Sequence, residues 1–297
     1  MLEVRERFLT LVYLFMKQSF RKIIAWMTKR FKRWERHITL TKRQQFVLIT
    51  AALTLVLMLT QLIPVDIIRY PLVFLLACVT YISAAFALRE DLGGIEWVTL
   101  LIPPMLYSAA VALFYFLLPA RWLTRIPVAA LYAIGLYAFL LTENIYNVAA
   151  NRTIALLRAA RSVGFLLTIC TFYLLMLTVM SFRAYPLGTT LVITIVSFLH
   201  IFPSLSAMEL TGKASTRVIL LSVSLSIFLG ELSWILSFWP MPTAMIALLM
   251  SSVFYSTVGI GQEYLANKLY KKTIIEFFIV CIFVFIAALF TTRWRAV

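Results

Sequence analysis

Few side chains in this sequence could do chemistry. The densest group lies between Leu140 and Arg161, where an apolar run acquires Glu143, Asn144 and Asn147, followed by Asn151, Arg152, Arg158 and Arg161. On one continuous helix at about 100° per residue, all of these except Arg152 fall within about 100° of arc. A carboxylate and two carboxamides on one face of a membrane span, with guanidinium groups beyond them, could line a polar cavity. The arginines would then draw a phosphate or a lipid head to its mouth. The same residues could instead simply close the span, with Glu143 paired to Arg152, Arg158 or Arg161 or met by a neighbouring tyrosine.

Two further polar groups interrupt apolar runs: His200, three residues before Pro203, and Glu231. An ionisable side chain inside a span is expensive in hydrocarbon, so each is expected to face a bundle interior or a water-filled cavity. Glu143, Asn144, Asn147, His200 and Glu231 are therefore the candidate cavity residues, and Arg152, Arg158 and Arg161 the candidate anion or lipid-head contacts. Glu209 and Glu276 sit at span ends and read as boundary residues.

The inventory excludes much else. The only aspartates are Asp66 and Asp91, too few for the aspartate-rich sites that hold magnesium and diphosphate. After Lys42 the lysines are Lys213, Lys268, Lys271 and Lys272, all between spans, so none could carry an intramembrane Schiff base. With His37 and His200 as the sole histidines, a multi-histidine zinc site or haem pair is ruled out. Cys78, Cys170 and Cys281 are far apart in apolar runs, without metal-ligand spacing. No HExxH, GxSxG, Walker A or paired-carboxylate protease pattern occurs. The expectation is no enzyme, no catalytic residue, no metal and no cofactor.

The elements that must position these groups are membrane helices. Of 297 residues, 63% are apolar and 13% charged, against about a quarter charged in soluble proteins, and the mean hydropathy is +0.95. A span needs roughly 20 apolar residues, and counting such runs predicts nine. They are Phe46 to Ile63, Leu72 to Leu88, Trp97 to Leu118, Ile126 onward through the Glu143 cluster, Ser162 to Phe182, Leu187 to Glu209, Arg217 to Trp239, Met241 to about Ile260, and Thr273 to Phe290. Asn151 to Arg161 reads as a helical extension of the fourth. Pro103 and Pro104 predict a kink in the third; were that run re-entrant, or the seventh and eighth one broken pair, eight spans would result. The fold class is an all-α polytopic bundle occupying residues 46–292, with a short tail at 293–297. No convincing internal repeat is found.

Residues 1–45 form a separate arm with 12 of the 27 Lys and Arg and 3 acids. Apolar residues recur at three or four residue steps, with Lys22, Lys29, Lys32, Arg33 and Arg36 opposite them, which predicts a basic amphipathic helix on an anionic lipid surface. A base-reading fold is missing, so nucleic acid is not expected. In the seventh span Ser222, Ser226, Gly230, Ser233 and Ser237 form a stripe of small residues that predicts a helix-packing seam, with Glu231 turned away from it.

With the N-terminus inside, inner segments carry 21 Lys and Arg and outer segments 6, so the expected orientation is N-terminus cytoplasmic and C-terminus outside, in a plasma (inner) membrane. Three functions remain in view. One is a small-solute or lipid transporter, permease-like, with its site between the fourth, sixth and seventh spans. Another is a non-catalytic scaffold or assembly subunit with a membrane-protein partner or a second copy of itself. A lipid-active enzyme is the third.

Overall fold

The computed structural model describes residues 41–60, 66–89, 92, 94–118, 122–149, 156–209 and 215–292. The basic arm with Lys22, Lys29, Lys32, Arg33 and Arg36, residues 150–155 with Arg152, and the tail 293–297 lie outside the described residues. Ten helices follow in order: α1 (Lys42–Thr60), α2 (Asp66–Leu88), α3 (Glu96–Thr99), α4 (Ile102–Leu117), α5 (Trp122–Ala149), α6 (Leu157–Ser181), α7 (Pro186–Glu209), α8 (Thr216–Leu236), α9 (Thr243–Leu265) and α10 (Lys271–Thr291). Taking α3 and α4 as one segment, nine among the described residues are long and apolar enough to cross a membrane. The protein is an all-α, multi-pass integral membrane protein.

Two local outcomes shape the site. The third span is interrupted at Leu100 and Leu101, in the turn before its proline pair, in line with the kink expected there, and Pro103 and Pro104 open the first turn of α4. A missing N–H costs nothing there, because first-turn donors have no intrahelical acceptor. The short α3 is anchored by Tyr81 of α2, whose hydroxyl donates to the Trp97 carbonyl at 2.9 Å. The expected extension of the fourth span to Arg161, in contrast, is not found. α5 is described to Ala149, and Arg158 and Arg161 belong to α6, which begins at Leu157. The cluster is thus split between two helices that pack on each other. At their contact the Tyr146 hydroxyl donates to the Ala160 carbonyl at 3.1 Å, and a side chain at Gly164 would collide with Tyr146 and Thr142.

α6 is the central helix, packing against α4, α5, α7 and α9. Phe172 of α6 and Phe254 of α9, both with no exposed surface, stack at 4.2 Å in the core. A second buried contact is polar: Tyr132 of α5 hydrogen-bonds Ser108 of α4 at 2.8 Å, and Thr80 of α2 donates to Ser108 at 3.0 Å. Many other hydroxyls bond the carbonyl one turn back, as Thr168 does to Gly164 and Ser251 to Ala247. This leaves few donors facing hydrocarbon. α10 sits at the rim, with only Ala288 buried.

The small-residue stripe of α8 faces α7. Ser222, Ser226 and Ser233 are buried, and a side chain at Gly230 would run into the Thr194 hydroxyl of α7. Gly230→Leu is therefore expected to lower stability by about 1–3 kcal/mol, the usual cost of overpacking a filled contact. A thermal melt in detergent reads it, and an unchanged midpoint would refute the close approach of α7 and α8.

Candidate functional site

The ends of the helices that carry Arg158, Arg161, Arg217, Lys268, Lys271 and Lys272 form a basic end of the bundle. In that half lies a narrow cavity, with about 60 Å³ of room for water-sized molecules, between α3 and α4, α5, α6, α7 and the end of α9. Each wall contributes a polar group: Glu96 from α3, Glu143 from α5, Arg161 and Thr168 from α6, His200 and Ser204 from α7, and Gln262 from α9.

Glu143 has 4% of its surface exposed. Among the described residues its carboxylate has no hydrogen-bond or ion-pair partner, and neither Arg158 nor Arg161 pairs with it. Removing such a group from water without a partner is costly, so the cavity itself is what can supply its solvation. Tyr146, one turn along α5 and also on the wall, lies within electrostatic reach of both Glu143 and Arg161.

His200 is buried, with its ring set edge-on to Phe172 at 5.6 Å and to Phe254 at 6.3 Å. Nδ1 lies 2.8 Å from the Val196 carbonyl. A carbonyl can only accept, so Nδ1 carries the proton and Nε2 presents a lone pair. Nε2 has no partner. Pro203, one turn on and also on the wall, cannot donate to the Leu199 carbonyl, which opens α7 beside the histidine. Arg161 donates through Nη2 to the Met208 carbonyl at 3.2 Å, while its buried Nε has no partner among the described residues. Gln262 is fixed by donation to Ser204 Oγ at 2.8 Å. The cavity thus combines a carboxyl, an imidazole acceptor and a guanidinium donor, the last two held by bonds to backbone carbonyls and all three with unused capacity.

The structure does not bring every candidate here. Asn147 turns to α2 and donates to the Leu88 carbonyl at 3.0 Å, so it ties two helices together at the basic end. Asn144 is half-buried and does not line the cavity. Glu231 lies exposed on the outside of α8. The expectation that it shares a site with Glu143 is not met: α8 is peripheral, its seam buries one face against α7, and the opposite face looks outward. Arg158 is exposed beyond the cavity. Glu96, Tyr146 and Gln262 were missed by sequence reasoning. Gln262 falls in a stretch that reads as a loop after Ile260, yet α9 runs on to Leu265 and turns it inward. Among the described residues no three His, Cys, Asp or Glu side chains converge as a metal site would require.

Residues 87–291 match the family described as "Protein of unknown function (DUF5656)". The chain belongs to the DUF5656 family. Every residue lining the cavity falls inside the matched range, so the DUF5656 region carries the whole site, while α1 and nearly all of α2 precede it. No curated protein and no solved structure matches the chain.

Proposed function

We propose that this DUF5656 protein is a permease-like transporter whose ligand enters the cavity between α3, α5, α6, α7 and α9. The observation that carries the reading is Glu143, buried without an ion-pair partner among the described residues and opening onto the same space as His200 and Arg161. A carboxyl placed only for helix packing would be expected to meet a partner, as the Asn147 amide N–H meets the Leu88 carbonyl. Glu143 accepts from the ligand or exchanges a proton with it, His200 Nε2 accepts a second hydrogen bond, and Arg161 Nε donates to an anionic group. No covalent step is involved. In this reading the basic end faces the cytoplasm, in keeping with the excess of Lys and Arg there, and the membrane is the plasma (inner) membrane.

The test is a solute panel: purified protein is screened for ligand-induced thermal stabilisation, and hits are assayed for flux in proteoliposomes. A hit that stabilises the parent chain but not Glu143→Gln supports the site. A panel in which no solute stabilises or moves would favour the assembly-subunit reading. That second reading draws on α10, whose faces are almost wholly exposed, and it predicts a stable oligomer or co-purifying partner in native mass spectrometry.

A further inference from the structure

A second cavity lies on the side of the bundle at its basic end, between the start of α6, the end of α9 and the start of α10, with a volume of about 830 Å³ open to the outside. Its two parts differ in chemistry. At the helix ends it is lined by Arg158, Arg161 and Lys268 against one acid, Glu263. Towards the bundle middle the walls are Phe165, Leu166, Ile169, Tyr255 and Phe277. Leu166 is 60% exposed, so the groove opens sideways, where hydrocarbon surrounds the protein.

The basic rim is built by local structure. α9 ends with Asn267 in the left-handed region at φ 54°, and the Lys268 N–H returns to the Glu263 carbonyl at 2.9 Å. That closure is the Schellman pattern, in which Asn is one of the few residues tolerated after the last turn. It sets Lys268 on the rim facing α6. Across the groove α6 begins at Leu157, and its first turn has no side-chain cap, so its positive end and Arg158 add to the same field.

We propose that this groove binds one anionic phospholipid, with its phosphate on Arg158, Arg161 and Lys268 and an acyl chain along Phe165, Ile169, Tyr255 and Phe277. A free phosphate would use the rim and leave the apolar walls unused, whereas a zwitterionic lipid would bring its own cation to a rim with excess positive charge. Arg161 and Gln262 line both this groove and the polar cavity, so the lipid phosphate shares a guanidinium with the ligand site. The inference goes beyond transport and does not depend on it.

Native mass spectrometry of the full chain in detergent tests it, titrating phosphatidylglycerol and phosphatidylcholine of the same acyl chains. The parent should retain one phosphatidylglycerol at about thirtyfold lower lipid concentration than phosphatidylcholine, the effect expected of two removable cations near a phosphate. Arg158→Gln with Lys268→Gln should erase that preference, and each single variant should reduce it. Both side chains are exposed, and a melt without lipid checks that the variants fold. Lys272→Gln, outside the groove, should keep the preference, and so should Glu143→Gln, which separates this site from the transport site. No preference in the parent, or one that survives the double variant, overturns the inference. So does inorganic phosphate at millimolar concentration protecting the protein from heat as well as phosphatidylglycerol does, because the site would then serve a free anion.

Discussion

Glu143→Gln is expected to lower flux of the cognate solute by about 10- to 100-fold, the range set by the roughly 1.5–3 kcal/mol of a hydrogen bond to a charged group. The substitution keeps the shape of the side chain and removes its charge and its ability to exchange a proton. Because no described residue pairs with this carboxylate, nothing in the fold is orphaned by the change, and the melting temperature should stay near that of the parent. Glu231→Gln is the matched control. It alters a carboxyl that is exposed on the outside of the peripheral α8, and its flux should remain within about twofold of the parent, as for an ordinary surface substitution. Equal losses in the two variants would remove the cavity from the mechanism, and full flux in Glu143→Gln would remove Glu143 itself.

The largest effect on stability is expected at Phe254. Its ring is fully buried, stacks on Phe172 at 4.2 Å and meets His200 edge-on at 6.3 Å. Phe254→Ala should cost about 3–5 kcal/mol, the range for emptying a buried aromatic position, and it should loosen His200, which leans on both rings. Ligand affinity should therefore fall along with the melting temperature. Phe283→Ala provides the contrast: that ring is 73% exposed on α10, and the change should be within about 0.5 kcal/mol in detergent. A small effect at Phe254 would mean that α6 and α9 do not close the core as described.

These two expectations rest on different kinds of legibility. Glu143 and His200 stand out in the sequence because an ionisable group in an apolar run is anomalous on local chemistry alone. Phe254 does not stand out, because one phenylalanine among 23 carries no mark of burial. The serine and glycine stripe of α8 was readable as a seam from its spacing, although which helix it meets was not. The arginines were read as an extension of the fourth span, and that reading fails because α6 begins at Leu157 as a new helix. Arg161 nevertheless reaches the wall that holds Glu143, because α6 packs against α5.

By itself the sequence determined the class of molecule, an expectation of nine spans with eight as the alternative, and three ionisable groups, Glu143, His200 and Glu231, in apolar runs. Each of those follows from a cost counted residue by residue: about 20 apolar side chains to cross hydrocarbon, and a penalty for each charge left within it. Tertiary structure decided which of those groups meet. It turned Asn147 to Leu88, left Glu231 outside, and brought Gln262 and Arg161 to the cavity of Glu143 and His200. Helical phase fixes the face a residue lies on, but the neighbour across that face depends on how helices far apart in the chain pack, and no local pattern encodes that.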